Sequence, residues 1–142
     1  FGTFGYELDL NKLSDEEISE VKQQITFMKE YRELIQFGTF YRLKSPFEGN
    51  ETVWMTVSED KKTALVFWYR ERNVVNADFT RVRLQGLDPD LIYRNEYNET
   101  ENYGDELMNL GLLTTDCTAG EPTSEDEQCT DYESRIYVLT AK

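Results

Sequence analysis

The sequence contains no histidine, and this absence excludes several kinds of active site at once. A serine or cysteine nucleophile that needs an imidazole base has no partner in this chain. The common zinc sites lose their imidazole ligands as well. Only two cysteines are present, and we therefore expect no metal site.

Basic residues are also scarce: 15 lysines and arginines stand against 28 aspartates and glutamates, for a net charge of −13 over 142 residues. Without a basic stripe, the chain cannot displace the counterions of a nucleic acid, and an anionic membrane surface would repel it. No apolar run reaches the roughly 18 residues that suggest a membrane span. The expected partners therefore include neither nucleic acid nor membranes.

The length fits one domain, or one domain with an appendage. The sequence begins with Phe1 rather than methionine, and no signal-peptide pattern follows it. We therefore expect the natural chain to begin before Phe1.

The best-defined element is a long helix of about 23 residues, or roughly 35 Å. Ser14 and Glu17 have the spacing of a capping box, and acidic residues fill the first turn, where the helix dipole favours them. Gly38 is the predicted stop. The apolar residues recur at the spacing of one helix face: Ile18, Val21, Ile25, Met28, Leu34 and Ile35.

After residue 38 the hydrophobic period changes to that of strands. We predict strands over residues 52–57, 63–70, 80–84, 91–97 and 134–141. The second of these is apolar on both faces, as a central strand is when both of its sides are covered. Short strands at regular spacing predict a mainly β fold, namely an antiparallel β-sandwich of the Greek-key type preceded by one long α-helix.

The negative charge is concentrated in residues 96–133, which hold twelve acidic side chains and no lysine or arginine. Within this segment, Cys117 and Cys129 enclose eleven residues of loop composition. A disulfide between them would constrain the unfolded chain by roughly 2–3 kcal/mol, whereas a reducing compartment would leave two free thiols. The sequence favours neither alternative.

Glu7 and Asp9 stand two residues apart and would share one side of a strand. Paired carboxylates can perform acid–base chemistry on a glycosidic bond. Acidic pairs are common in so acidic a chain, so a solvated strand end or a carboxylate near the helix is the favoured interpretation.

Two further patterns have weak functional meaning. Asn50 and Asn98 each begin an Asn-x-Thr triplet, the acceptor pattern for N-glycosylation, which often arises by chance. Residues 98–106 and 122–127 are rich in oxygen ligands but lack the spacing of a calcium loop. We favour solvated acidic surface for both segments.

Aromatic residues make up 13% of the chain, and some of them suggest a sugar-binding surface. The candidates for a flat stacking platform are Tyr41, Trp54, Phe67, Trp68 and Tyr69. In a sandwich, however, alternating aromatic residues more often lie in the core or an interface. Trp68 belongs to the strand that is apolar on both faces, which favours its burial.

Five stretches, in order, resemble the end of the catalytic barrel and the C-terminal domain of glycoside hydrolase family 36, the α-galactosidases. The first is the run GYELDLNKLSDEEISEVKQQITFMKEYRELIQFGTFYRLKSPFEGN. The others are WMTVSEDKKTALVFWYR, LQGLDPDLIY, YGDELMNLGL and SRIYVL. None of them is a catalytic motif, so the resemblance rests on their order and spacing over nearly the full chain. The leading FGTF, the stretch RERNVVNADF and a longer cysteine-bearing insert at about 115–130 depart from the family pattern.

The resemblance implies a boundary at residue 38. Residues 1–38 would be the last strand and helix of the parent catalytic domain, and residues 39–142 would be a C-terminal antiparallel β-sandwich domain. The motif FGTF occurs at residues 1–4 and 37–40. On this interpretation its two copies are unrelated strand starts rather than a repeat.

The resemblance also implies a function for the parent, the hydrolysis of terminal α-galactosides with retention and without metal or organic cofactor. Retention needs two carboxyl groups about 5–5.5 Å apart, and in this family both belong to aspartates of earlier barrel segments. No residue here matches those motifs, so no catalytic, cofactor-binding or metal-binding residue is carried over. We expect the chain alone to be inactive and structural.

The implied partners are the catalytic barrel of the parent chain, a second copy in a homo-oligomer, and the α-galactoside bound by the parent. The expected location is the cytoplasm. Two other functions stay open. One is a carbohydrate-binding module with Trp54 or Tyr69 as its stacking platform, and the other is an acidic adaptor that meets a basic partner through residues 96–133.

Overall fold

The computed structural model describes residues 5–73, 79–114 and 131–142. Packing divides the chain into two compact units, Phe1–Gly38 and Thr39–Lys142. In the described ranges no helix is both long enough and apolar enough to cross a membrane. Cys117, Cys129 and the first FGTF motif lie outside the described residues, so the disulfide stays a prediction.

The first unit contains a short 3-10 helix, Leu10–Lys12, and the long helix α1, Asp15–Phe37. The 23 residues of α1 agree with the prediction. The capping box is complete, because the Glu17 N–H donates to Ser14 Oγ at 3.2 Å and the Ser14 N–H donates to Glu17 Oε2 at 2.8 Å. Gly38 ends α1 in an extended conformation, with φ −65° and ψ 159°, and not in the left-handed one that glycine often supplies.

Apart from Phe37, which is exposed, the apolar residues of α1 form a broad stripe of half-buried side chains along the helix. The stripe contains the six predicted residues together with Phe27 and Tyr31, whose ring centroids lie 4.7 Å apart. No residue of α1 is fully buried.

In the described residues, the second unit contains eight strands and one short helix. The strands are β1 (Thr39–Lys44), β2 (Glu51–Val57), β3 (Thr63–Arg70), β4 (Arg81–Val82), β5 (Ile92–Asn95), β6 (Glu101–Tyr103), β7 (Leu112–Leu113) and β8 (Glu133–Ala141), and the helix α2 covers Gly104–Asn109. Six strands form one antiparallel sheet in the order β1-β2-β3-β8-β5-β6, while β4 and β7 form a second antiparallel pair. The fold is mainly β with antiparallel sheets and one long helix, as predicted.

Within the acidic segment, three elements go beyond the predicted ones, namely β6, α2 and β7; the 3-10 helix of the first unit was not predicted either. The two strands are only three and two residues long, too short for a pattern of alternation. The N-cap of α2 is Tyr103, whose side chain makes no capping hydrogen bond. The start of α2 therefore lacks the usual sequence signal.

The hydrophobic core lies on one face of the large sheet. The sheet supplies Val53, Met55, Val57, Ala64, Val66, Trp68, Tyr137 and Leu139, and the layer over it supplies Val82, Leu84, Leu87, Leu107 and Leu112. On the opposite face of β3, Leu65 and Phe67 are buried too. The prediction of a central strand covered on both faces is therefore confirmed, since β3 lies between β2 and β8.

Candidate functional site

The five aromatic residues of the predicted platform lie on two different faces of the large sheet. Successive residues of a strand point to opposite faces, so Trp68 and Tyr69 cannot belong to one surface. Trp68 is fully buried in the core, and Tyr41 packs against the same core cluster. Trp54, Phe67 and Tyr69 lie on the opposite face, which we call the outer face.

Trp68 is held in place by polar groups on the core face. Its indole Nε1 donates to Glu51 Oε1 at 3.1 Å, and Glu51 also forms an ion pair with Lys44. The guanidinium groups of Arg70 and Arg135 lie 5.3 and 5.8 Å from the Trp68 ring centroid, within cation–π range. Trp68 is therefore a structural residue and does not face a ligand.

A buried charge network continues from Trp68 towards the end of the sheet. Arg70, although only 6% exposed, forms an ion pair with Glu133, and the same carboxylate accepts from Arg135 Nε at 2.7 Å. The strand register places Arg70 directly between Glu51 on β2 and Glu133 on β8. Acidic neighbours on both sides compensate the buried guanidinium, which would otherwise be costly to desolvate.

The outer face carries its side chains in rows that cross β2, β3 and β8. One row contains Trp54, Phe67 and Ile136, and the next contains Thr52, Tyr69 and Ser134. The ring of Trp54 meets that of Tyr69 edge-on, with the centroids 5.9 Å apart, and meets that of Phe40 at 6.4 Å. These contacts brace the Tyr69 ring while the residue remains 39% exposed.

A cleft of about 350 Å³ opens at the ends of these three strands, all within the second unit. Its lining consists of Pro46, Gly49, Asn50, Thr52, Tyr69, Arg70, Glu71, Tyr132, Glu133 and Ser134. Backbone hydrogen bonds hold the rim, since the Glu71 N–H donates to the Asn50 carbonyl and the Tyr132 N–H donates to the Glu71 carbonyl, each at 3.0 Å. This volume lies within the range of small-ligand sites.

Asn50 is a fixed part of this rim. Its Oδ1 accepts from the Arg72 N–H at 2.9 Å, and its Nδ2 donates to the Arg72 carbonyl. The Asn50 side chain therefore has a structural role, since it joins the rim to the backbone of Arg72. At the other triplet, Asn98 Oδ1 accepts from the Thr100 N–H and Oγ1 at 3.2 and 2.7 Å.

Two tyrosines give the cleft its aromatic surface. Burial raises the pKa of the Tyr69 hydroxyl, so this group keeps its proton to a higher pH than an ordinary tyrosine does. Tyr132 is 79% exposed and has φ 57°, a left-handed conformation that is rare for a bulky side chain. Backbone conformations of this kind often occur at functional sites.

The predicted carboxylate pair near the N-terminus belongs to the first unit of the chain. Asp9 caps the 3-10 helix, since its Oδ1 accepts from the Asn11 N–H at 3.1 Å, and Lys12 Nζ lies 3.8 Å from its Oδ2. Glu7 is exposed. Residues 5–9 form no strand in the described structure, and residues 1–4 lie outside it, so the barrel strand that the resemblance implied stays a prediction.

The acidic residues 98–106 serve the fold instead of forming a calcium loop. Glu99 pairs with Arg94 at 2.9 Å, and Glu101 pairs with Lys142. Asp105 and Glu106 occupy the first turn of α2, where the helix dipole favours negative charge. Among the described residues, no three histidine, cysteine, aspartate or glutamate side chains are grouped to hold a metal ion.

Two family models match the chain. Residues 51–139, more than half of the chain, match the glycosyl hydrolase family 36 C-terminal domain, and residues 1–38 match the melibiase model. The chain therefore belongs to glycosyl hydrolase family 36, within whose C-terminal domain most of it falls.

Individual relatives agree with this membership. The chain is 50% identical over 111 residues to alpha-galactosidase AgaA of Geobacillus stearothermophilus and 44% identical over 112 residues to alpha-galactosidase Mel36A of Lactobacillus acidophilus. These matches cover 78% and 79% of the chain but only 15% of each relative. The chain thus spans about one seventh of the length of these relatives.

Solved structures match over a larger part of the chain. The GH36 alpha-galactosidase AgaB of G. stearothermophilus matches with a TM-score of 0.85 and 43% identity, covering 98% of this chain and 18% of that one. The alpha-galactosidase of Lactobacillus brevis matches with a TM-score of 0.85 and 38% identity, covering 97% and 18%. At these identities the likeness extends beyond the general fold to the same domain.

Proposed function

We propose that this chain is the C-terminal part of a longer α-galactosidase, which hydrolyses terminal α-galactosides with retention of the anomeric configuration. The observation that carries the proposal is the match of residues 51–139 to the family 36 C-terminal domain, together with 50% identity to an alpha-galactosidase. The catalytic barrel of the parent, a second copy of the protein and the α-galactoside held by the parent are the proposed partners.

The part played by these 142 residues is structural and non-catalytic in this proposal. A retaining glycosidase needs two carboxyl groups facing each other across the scissile bond. Three carboxylates of the chain have structural partners: Asp9 caps a helix, Glu51 binds Trp68 and Lys44, and Glu133 binds two arginines. Their engagement supports a role as scaffold.

The retaining mechanism can be tested on the full-length protein by following hydrolysis of an aryl α-galactoside with proton NMR. We expect α-galactose to appear first and β-galactose to follow only by mutarotation. First-formed β-galactose would contradict retention while leaving the α-galactosidase proposal intact. No hydrolysis of any α-galactoside would contradict both.

A further inference from the structure

The cleft at the ends of β2, β3 and β8 combines exposed aromatic rings with polar side chains. We propose that it binds a neutral saccharide, with Tyr69 and Tyr132 as stacking surfaces and Asn50, Thr52 and Ser134 as hydrogen-bonding partners. The inference goes beyond the proposed function, because it gives a ligand to the part of the protein that the proposal treats as scaffold.

The regular spacing of the sheet creates the site. Thr52 and Ser134 lie directly opposite Tyr69 on the two neighbouring strands, so two hydroxyl groups flank one phenol. Two residues from this row along each chain segment, towards the strand ends, lie Asn50, Glu71 and Tyr132. Backbone hydrogen bonds link these three residues. A saccharide on the row of Thr52, Tyr69 and Ser134 would thus have the side chains of Asn50 and Tyr132 near it, since all five residues line the same cleft.

Two side chains of the site are already held in position. The amide of Asn50 is fixed by both backbone groups of Arg72, and the Tyr69 ring is braced by Trp54. A ligand would not have to order these two side chains on binding, which lowers the entropic cost of association.

The charges around the cleft favour a neutral ligand. The whole chain carries a net charge of −13, which opposes an anion. Of the two carboxylates that line the cleft, Glu133 is compensated by Arg70 and Arg135, which leaves the exposed Glu71 as the group that a cation would meet. Hydroxyl and amide side chains next to exposed aromatic rings match a ligand with polar edges and apolar faces, which is the surface of a saccharide.

Substitutions at Tyr132 test the contribution of its ring to binding most directly. Its φ of 57° is strained for tyrosine but free of strain for glycine. Tyr132→Gly therefore removes the ring without disturbing the backbone, whereas Tyr132→Phe keeps the ring. Tyr103→Ala serves as the control, since Tyr103 is exposed on β6, at the far edge of the sheet.

The test is hydrogen exchange with mass spectrometry on the full-length protein, with and without lactose at up to about 50 mM, a range suited to millimolar affinity. Lactose is a β-galactoside and would not be consumed by an α-galactosidase. We expect slower exchange in the peptides that contain the amides of Glu71 and Tyr132. Lactose should slow exchange equally in Tyr132→Phe and Tyr103→Ala. In Tyr132→Gly, the same slowing should need at least about tenfold more lactose.

Three outcomes would overturn the inference. Lactose could leave the exchange of these peptides unchanged, or it could protect Tyr132→Gly as well as the natural sequence. Tetramethylammonium chloride could protect the cleft where lactose does not, which would assign the site to cations. Each outcome leaves the α-galactosidase proposal untouched, because the activity of the full-length protein is measured separately.

Discussion

The backbone of Gly104 lies directly against the carbonyl group of Asp88, where a β-carbon on residue 104 would come within 1.9 Å of the Asp88 oxygen. The Gly104 N–H donates to the Leu91 carbonyl at 2.9 Å. This contact fixes the start of α2 against the loop before β5. Only glycine allows so close an approach of two backbone segments.

Gly104→Ala should therefore destabilise the protein by about 1–3 kcal/mol or more, because backbone and not a flexible side chain has to move. Urea unfolding followed by fluorescence measures the change. The matched control is Gly49→Ala, since a β-carbon there would meet no atom within 4 Å, and we expect a change within about 0.5 kcal/mol. Equal stability of the two variants would contradict the packing described at Gly104.

Glu51 binds both the buried indole of Trp68 and the side chain of Lys44, and its substitution should affect both partners. Glu51→Ala would leave the buried indole N–H of Trp68 without its acceptor and Lys44 without its ion pair, at an expected cost of about 1–3 kcal/mol. Near-ultraviolet circular dichroism should show a changed Trp68 environment. Glu48→Ala, at an exposed position of the nearby turn, is the control and should show neither effect.

The hydroxyl of Tyr93 holds two loops together. It accepts from the Asp88 N–H at 2.9 Å and donates to the Lys61 carbonyl at 2.6 Å. Tyr93→Phe should cost about 1–3 kcal/mol of unfolding free energy, because both backbone groups lose their partner. Tyr103→Phe removes an exposed hydroxyl and should be close to neutral in the same denaturation experiment.

Tyrosine ionisation should set the alkaline limit of stability. Burial raises the pKa of Tyr93 and of Tyr69, so in the folded protein each keeps its proton to a higher pH than in the unfolded chain. The stability that the two protonated tyrosines contribute is complete below pH 10, roughly the ordinary tyrosine pKa. It is lost as the pH rises from there through the pKa values of the folded protein. The unfolding free energy should fall above about pH 10. The Tyr93→Phe variant should show a shallower fall, and an unchanged slope would contradict the assignment to Tyr93.

Features that depend on neighbouring residues could be predicted from the sequence. The start of α1 follows from Ser14 and Glu17, which are three residues apart and satisfy each other's backbone groups. The burial of Trp68 follows from the apolar residues on both sides of it. Alternation alone also separates Trp68 from Tyr69, so the single platform of five aromatic residues was inconsistent with the predicted strand.

Features that depend on distant pairings could not be predicted in this way. Arg70 is buried because Glu133 lies beside it, and these residues become neighbours only when β8 returns to pair with β3. The cleft depends on the same pairing, since Glu71 and Tyr132 meet through one backbone hydrogen bond across it. The sequence around Arg70 and Glu71 contains no local pattern that specifies Glu133 and Tyr132 as their partners.

The central claim is that these 142 residues support an α-galactosidase without supplying its chemistry. The most direct measurement compares the purified 142-residue chain with the full-length protein in the hydrolysis of an aryl α-galactoside, at equal molar concentration and with folding verified by circular dichroism. The account predicts turnover by the full-length protein and none above the uncatalysed rate by the 142-residue chain. Hydrolysis by the 142-residue chain at a rate comparable to that of the full-length protein would contradict it.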